Sequence, residues 1–290
     1  MERKVLVTGA SGLIGRELCK QLSAYFQVTG VDNNFRYNYT PEGIQFVRQD
    51  IINFVNENSN NFDYIFHMAA INGTKYFYDI PNELLENNIT TDLAIFNYAK
   101  TNPSCKLIYG SSSEIVAGTE TFPTPEINDI TVYNLHNPRW SYRLSKMVSE
   151  NYLVNSNINY LIIRFFNIFG SASASGHFVR DILNKLENND YTLIGESETR
   201  SFCRVEDAVD ALVNIFKIAS NDIVNIGSDE EITVLEAANI IAEHKGLTAE
   251  WIFLPSNSGS VARRKPDITK LLYYYPSFNP AKFKDAIKDI

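Results

Sequence analysis

Six short apolar segments constrain the fold of this 290-residue chain more than any other feature of its sequence. In several of them the apolar residues follow one another without alternation, which is typical of strands buried on both faces of a parallel sheet. The stretches between them carry apolar residues at helical spacing. We therefore predict an α/β fold, a doubly wound parallel sheet with helices on both faces. The six predicted strands are KVLVTGA (4–10), FQVTGVD (26–32), IQFVRQD (44–50), YIFHMAA (64–70), KLIYGSS (106–112) and YLIIRFF (160–166).

The pattern changes near Gly170, where the small and polar segment SASASGH begins. The amphipathic segments that follow predict a smaller and mostly helical second domain. We place the first domain at 1–170 and the second at 171–290, and we expect the chain to return to the first domain around 204–229.

Composition and charge exclude several classes of protein. With 44% hydrophobic residues the chain can bury a large core, and no apolar run approaches the length needed to cross a membrane. A net charge of -8 without a long basic run argues against a nucleic-acid partner. The three separated cysteines, Cys19, Cys105 and Cys203, predict buried thiols rather than disulfides or a metal site. We expect a cytoplasmic protein without a metal.

A glycine-rich segment, TGASGLIG (8–15), follows the first predicted strand and opens the first helix. Its glycines allow a tight turn and the close approach of a pyrophosphate to a helix N-terminus, as in Rossmann-type domains. Asp32 ends the second strand, where a carboxylate binds the adenosine ribose and repels a 2'-phosphate, so NAD is favoured over NADP. The predicted cofactor-binding residues in these two segments are Gly9, Ser11, Gly12, Leu13, Ile14, Gly15, Asp32 and Asn33.

The third and fourth strands end at the same edge of the sheet, where ligands bind in such folds. We add Asp50, Ile51, Ala69 and Ala70 to the cofactor site, with a helix N-cap as the alternative role of Asp50. His67, inside the fourth strand, is predicted to be structural.

The segment NPRWSYRLSKM (137–147) places Tyr142 and Lys146 on one face of a helix. A lysine ammonium at about 4 Å supplies roughly the 4 kcal/mol needed for a tyrosine to act as a base near neutral pH. The serine run 111–113 ends the fifth strand, so it can reach the same end of the cofactor. We predict that Ser111 and Ser112 face the cofactor or are structural.

The sequence resembles the extended short-chain dehydrogenase/reductase family that oxidises and remodels nucleotide sugars. The resemblance covers nearly the whole chain, and it rests on many modest motifs in the same order. These motifs are TGASGLIG, Asp32, Asp50-Ile51, HMAA, Asn88 in ENNITT, the serine run, YRLSK, RFFNIFG, RSFCRVED, VNIGSDEEITVLE and RRKPDI.

The resemblance implies a catalytic set of Ser113, Tyr142 and Lys146, with Tyr142 removing the proton of the sugar 4-hydroxyl while NAD oxidises C4. It implies that Tyr142, Lys146 and Asn88 also contact the cofactor. Asn167, Arg200 and Arg263 or Arg264 are expected to hold the nucleoside diphosphate of the substrate. The family further implies a homodimer, formed by helices near 83–101 and 141–154.

The reaction that follows C4 oxidation stays open at this point. A 4-epimerase needs the fewest extra groups, and a 4-dehydrogenase is an alternative. Dehydration is disfavoured, because Ile115 follows Glu114 where dehydratases of the family carry an Asp-Glu pair. Nucleotide-uronate decarboxylases of the family resemble the chain at Ser113, Glu114 and Arg264, although the spacing from Glu114 to Gly118 is one residue longer. A non-catalytic NAD sensor is the alternative of another class, and an intact Ser113, Tyr142 and Lys146 argues against it.

Overall fold

The computed structural model describes residues 2–59, 61–127, 129, 135–256 and 260–290. Up to residue 165, most strands are followed by a helix, as the sequence predicts, but the second strand leads directly to the third and two helices follow the fourth. The strands are β1 (Lys4–Thr8), β2 (Gln27–Asp32), β3 (Gln45–Arg48), β4 (Tyr64–His67), β5 (Lys106–Ser112) and β6 (Asn159–Phe165). The helices are α1 (Leu13–Leu22), α2 (Ile51–Glu57), α3 (Thr74–Asp79), α4 (Pro81–Lys100) and α5 (Trp140–Val154).

Beyond residue 165 the elements are shorter and more varied. The strands are β7 (Ile168–Phe169), β8 (Thr192–Ile194), β9 (Thr199–Arg200), β10 (Cys203–Arg204), β11 (Asp222–Ile226), β12 (Ile232–Thr233), β13 (Ile252–Leu254) and β14 (Arg263–Arg264). The helices are α6 (Phe178–Glu187), α7 (Val205–Ile215), α8 (Val234–His244), α9 (Thr269–Tyr274) and α10 (Phe283–Ala286), followed by a 3-10 turn (Ile287–Asp289).

The central sheet has seven parallel strands in the order β11-β6-β5-β4-β1-β2-β3. The order reverses between β1 and β4, and such a switch point is where Rossmann-type sheets bind dinucleotides. All six predicted strands lie in this sheet, so the predicted fold class is confirmed. Strand β11 joins the same sheet from the second half of the chain, next to β6.

Two hydrophobic layers cover the two faces of the sheet. One packs α1 and α7 against it and includes Leu18 and Leu212, and the other packs α2, α4 and α5 and includes Phe96 and Leu153. A third cluster unites α6, α8 and the C-terminal turn around Phe202. The smaller part of the chain therefore has a hydrophobic core of its own, while the boundary at residue 170 stays a prediction.

The three cysteines are free and buried, as expected. Burial raises the pKa of the Cys19 and Cys105 thiols to about 12, so they are unreactive near neutral pH.

In the described part of the chain, no helix is long and apolar enough to cross a membrane.

Candidate active site

A cavity of about 680 Å³ opens at the carboxyl ends of the central strands and extends to the α6 side of the molecule. It is lined by residues from both halves of the chain. All the predicted site residues lie on its wall except Ser11, Asn88 and Arg263, the alternative to Arg264.

The glycine-rich segment shapes one end of the cavity. Gly9 has a φ of 68°, and a Cβ there would lie 2.8 Å from the backbone nitrogen of Ala69. A Cβ on Gly15 would lie 2.0 Å from the Gly9 carbonyl oxygen, so neither position accepts a larger residue. This packing brings the N-terminus of α1 to the cavity wall, and its N-cap residue Gly12 has no side chain that could bond the first amides.

Asp32 lies where the ribose of a dinucleotide is expected. Its carboxylate accepts hydrogen bonds from the backbone nitrogens of Ser11 at 3.1 Å and Asn34 at 2.7 Å. Burial raises the pKa of Asp32 and these hydrogen bonds oppose the rise. The fixed carboxylate supports the preference for NAD over NADP.

Two predicted cofactor residues are buried behind the cavity wall. The Ser11 hydroxyl donates to Asn34 at 2.8 Å and to the Tyr39 carbonyl at 2.6 Å. The Asn88 side chain accepts from the Ile71 nitrogen at 2.8 Å and donates to the Ile71 carbonyl at 3.1 Å. Both support loops that line the cavity, because their polar groups are used by the backbone of those loops. Asp50 is the N-cap of α2, accepting from Ile52 at 2.9 Å, and it also reaches the cavity wall.

Tyr142 is buried on the cavity wall, stacked on Phe77 with ring centroids 5.1 Å apart. Burial raises its pKa, a hydrogen bond with Ser112 lowers it, and the carboxylate of Glu114 raises it again. The net effect of the protein's own groups is a pKa above the ordinary tyrosine value. The expectation that Lys146 alone lowers this pKa is therefore not met.

The position of Lys146 explains that difference. Its ammonium donates to the Tyr109 hydroxyl at 3.0 Å, and Tyr109 in turn donates to the buried carboxylate of Asp92 at 2.6 Å. Burial lowers the pKa of Lys146, and the charges of Asp92 and Glu150 raise it. The positive charge of Lys146 is thus shared with a buried anion instead of acting on Tyr142 alone.

The three serines of the run 111–113 have different partners, although all three reach the cavity wall. Ser111 donates to Glu150 at 2.5 Å, which is a structural contact. Ser112 is the last residue of β5, hydrogen-bonds Tyr142 and accepts from the Glu114 nitrogen at 3.2 Å. Ser113 begins the turn, with its backbone nitrogen bonded to the Phe165 carbonyl at 3.1 Å. Ser112 therefore joins Ser113 as a candidate for the working hydroxyl.

Glu114 points into the cavity between two guanidinium groups. Arg139 donates to it at 2.7 Å, and Arg264 lies at ion-pair distance, 3.0 Å, on the other side. Burial raises the pKa of Glu114, but the charges of Arg264 and Arg139 outweigh burial and hold it at about 2. Glu114 is therefore ionised at neutral pH and has no proton to donate.

Arg264 is only partly satisfied by this contact. Its Nε atom is buried and has no hydrogen-bond partner among the described residues, while its Nη2 atom is the one that forms the ion pair with Glu114. Leaving a buried donor unsatisfied costs about 1–3 kcal/mol, and more when the group is charged. The Arg264 guanidinium lines the cavity and is suited to an anionic ligand that enters it.

The other predicted substrate residues lie on the same wall. Arg200 is paired with Glu198, and burial and the charge of Arg264 lower its pKa to about 10. Asn167, with a φ of 40°, donates to the Ser201 carbonyl at 2.8 Å and lines the cavity. Arg263 is on the surface, where Glu231 accepts its Nε–H at 2.6 Å. Of the two adjacent arginines, only Arg264 lines the cavity.

The cavity fits a dinucleotide. The uncapped N-terminus of α1 offers backbone N–H groups and a positive dipole to a pyrophosphate, and Asp32 offers hydrogen-bond acceptors to a ribose. Tyr142 and Lys146 line the same cavity. The fold and this site together define a Rossmann-type, NAD-dependent enzyme.

Comparison with known proteins identifies the family within this class of enzymes. The family described as "NAD dependent epimerase/dehydratase family" matches residues 5–227. The chain is 31% identical to a UDP-N-acetyl-alpha-D-glucosaminuronate decarboxylase of Bacillus cytotoxicus, over 93% of this chain and 91% of that protein. It is 29% identical to UDP-glucuronic acid decarboxylase 1 of Danio rerio, over 92% of this chain and 67% of that protein.

A solved structure of a UDP-glucose 4-epimerase from Thermotoga maritima, with UDP-glucose, is similar in fold. Its TM-score is 0.88 at 22% identity, over 99% of this chain and 96% of that one. The chain therefore belongs to the NAD-dependent epimerase/dehydratase family, and NAD is its cofactor. It is an enzyme, so the NAD-sensor alternative is set aside.

Several residues of the site were not predicted from the sequence. They are Arg139, which lines the cavity, and Tyr109 and Asp92, which lie behind its wall. Arg139 precedes Tyr142 in NPRWSY and was open to prediction as a cation beside the reacting tyrosine. Asp92 and Tyr109 gave no such signal, because one lies in an amphipathic helix and the other in an apolar strand.

Proposed function

We propose that the protein is a nucleoside-diphosphate-sugar uronate decarboxylase, which oxidises C4 of the sugar and then releases the C6 carboxylate as CO2. The observation that carries this proposal is Arg264, which lines the cavity beside Glu114 and has a buried Nε–H group without a hydrogen-bond partner among the described residues. A guanidinium binds a carboxylate through two parallel hydrogen bonds.

The charge balance around Arg264 supports an anionic substrate. Three guanidinium groups, of Arg139, Arg200 and Arg264, face two carboxylates, of Glu114 and Glu198, which leaves one positive charge. The whole chain carries a net charge of -8, so this excess is local. The diphosphate of any nucleotide sugar uses part of this positive charge, and a uronate adds a carboxylate at the sugar that a neutral hexose lacks.

The names of the two reported relatives support the same substrate class, since both are decarboxylases of nucleotide-linked uronic acids. Glu114 supports it as well. Its pKa of about 2 makes it a fixed anion that orients Arg139 and Arg264, rather than an acid that protonates the sugar.

The first step is the oxidation of C4, and the residues of the cavity have different roles in it. Tyr142 accepts the proton of the 4-hydroxyl, and Ser112 or Ser113 hydrogen-bonds the same oxygen. NAD, when bound, supplies the oxidation and later re-reduction of the sugar carbon. Lys146 provides positive charge at the Tyr142 end of the cavity.

The second step follows from the oxidation. A 4-keto uronate is a β-keto acid, so the bond between C5 and C6 breaks, CO2 leaves, and the electron pair passes into the enolate of C4 and C5. A proton then adds to C5. Arg264 holds the carboxylate for this step and returns to Glu114 after CO2 has left.

Product analysis by NMR tests the proposal. The enzyme is incubated with NAD and, in separate tubes, UDP-glucuronate, UDP-N-acetylglucosaminuronate, UDP-glucose and UDP-N-acetylglucosamine. We expect a pentose product from at least one uronate and no change in the two neutral sugars. Conversion of a neutral sugar to its 4-epimer would contradict the proposal and support the 4-epimerase alternative, and a stable keto sugar would support a 4-dehydrogenase.

A further inference from the structure

A buried chain of polar side chains runs behind the cavity from Lys146 to the end of β1. Lys146 donates to Tyr109 at 3.0 Å, and Tyr109 donates to Asp92 at 2.6 Å. The other Asp92 oxygen lies 2.8 Å from Nε2 of His67, and Nδ1 of His67 lies 2.6 Å from the Thr8 hydroxyl. All five side chains are at most 2% exposed, so this is a polar network within the core.

Asp92 is the centre of this network. It lies on α4 and interacts with groups from three other elements: His67 of β4, Tyr109 of β5, and Ser149 and Lys146 of α5. A fully buried carboxylate is costly unless it is paired and hydrogen-bonded. Burial raises the pKa of Asp92, and the charge of Lys146 and the bond to His67 more than offset this. Asp92 is therefore held as an anion.

The other carboxylate near Lys146, that of Glu150, is paired with other side chains. Glu150 accepts from Arg164 at 2.7 Å and 3.0 Å and from Ser111 at 2.5 Å. Its charge is balanced by a guanidinium. Among the described residues, the hydrogen-bond partners of Asp92 include no guanidinium, and the charge that stabilises it most is that of Lys146, which reaches it through the Tyr109 hydroxyl.

We propose that Asp92 is a positioning residue for catalysis, which acts through Tyr109 to keep Lys146 protonated and in place, and so sets the pH range of the reaction. The inference rests on the roles proposed above for Tyr142 and Lys146. Asp92 itself does not line the cavity.

The proposal predicts the direction of a pH shift. Removing the anion removes the group that favours the charged form of Lys146, so the pKa of Lys146 falls. The same anion raises the pKa of Tyr142, so that pKa falls as well. Both limbs of a bell-shaped activity profile should therefore move to lower pH, rather than apart.

The test compares Asp92→Asn, Tyr109→Phe and wild type between about pH 6 and pH 10, with Glu243→Gln on the exposed face of α8 as a surface control. We expect both limbs to move by about one pH unit in Asp92→Asn and by less in Tyr109→Phe, where the charge remains. The Glu243→Gln profile should match wild type. A lower kcat at every pH with unmoved limbs in both variants would show a merely structural role and overturn the proposal.

A second measurement tests the same proposal without a sugar substrate. The affinity for NAD, measured by calorimetry over the same pH range, should change at a lower pH in Asp92→Asn than in wild type. An identical midpoint in both proteins would overturn the positioning role. Because this measurement is independent of CO2 release, it distinguishes failure of this inference from failure of the proposed function. If Asp92→Asn does not fold, Tyr109→Phe carries the same test, and an unmoved midpoint in that variant would overturn the role.

Discussion

The Glu114 carboxylate lies 3.0 Å from the guanidinium of Arg264 and joins the end of β5 to a strand near the C-terminus. The pair closes one side of the cavity beside Tyr142. Because Arg264 retains an unsatisfied Nε–H group, the pair is set to exchange part of its contact for a substrate carboxylate.

Replacing Arg264 with lysine should impair turnover of a nucleotide-linked uronate. A lysine keeps the charge but loses the two parallel hydrogen bonds, so we expect kcat/KM to fall on the order of 100-fold. Steady-state kinetics measures this change. Arg263→Lys is the matched control, because Arg263 lies on the surface against Glu231, and equal losses in both variants would contradict the role of Arg264.

Replacing Ser112 with alanine should lower kcat by about 100-fold, the usual effect of removing one hydrogen bond to a reacting oxygen. The reason is its hydrogen bond with Tyr142. Ser113→Ala is the matched variant, and single-turnover kinetics compares the two. If Ser113→Ala is the more damaged variant, the family-based assignment of Ser113 is right and Ser112 only supports Tyr142.

Glu114 should make the free energy of unfolding depend on pH in the acidic range. Its folded pKa of about 2 is below the ordinary value, so its contribution to folding is present above about pH 4.5 and is lost as the pH falls towards 2. At pH 7 we expect Glu114→Gln to be less stable than wild type by on the order of 3 kcal/mol. Urea unfolding at pH 7, 5 and about 3 tests this, because the difference between the two proteins should shrink only below pH 5. A difference that is constant across this range would contradict the ionised pair.

The predicted homodimer should depend on the outer face of α5. Val148 and Val154 of this helix are 46% and 47% exposed, and α5 packs beside α4. A charge placed there would be buried by a partner, so Val148→Glu should sediment as a monomer at micromolar concentration. Ile218→Glu, at a 59% exposed site after α7, is the control and should remain a dimer. A wild-type monomer would refute the prediction.

Much of the fold follows from the sequence, because buried parallel strands and amphipathic helices leave clear local patterns. The roles of the glycine segment and of Asp32 are equally predictable from the sequence, since each is fixed by its position at a strand end. The hydrogen bonds between the side chains of the site are not predictable in this way. Whether Ser112 or Ser113 meets Tyr142 depends on where β5 ends, and β5 continues through Ser112.

The contacts that could not be predicted from the sequence join residues that are far apart in the chain. Lys146 was expected to act on Tyr142, but its charge is shared with Asp92 through Tyr109, and these residues come from different elements. Likewise, the sequence placed Glu114 next to the serines but gave no indication that Arg139 and Arg264 enclose it. Such contacts depend on the register of the sheet and the docking of the second half of the chain, which no local pattern encodes.

The most direct test of the central claim follows the fate of the substrate carboxylate. UDP-glucuronate and UDP-N-acetylglucosaminuronate, each labelled with carbon-13 at C6, are incubated with the enzyme and NAD, with Tyr142→Phe as the control for background loss. We predict that with at least one of them the label appears as bicarbonate, at a rate that Tyr142→Phe lowers by at least about 100-fold. Label that stays in the sugar of both substrates, whether the sugar is epimerised, oxidised or unchanged, would contradict the account.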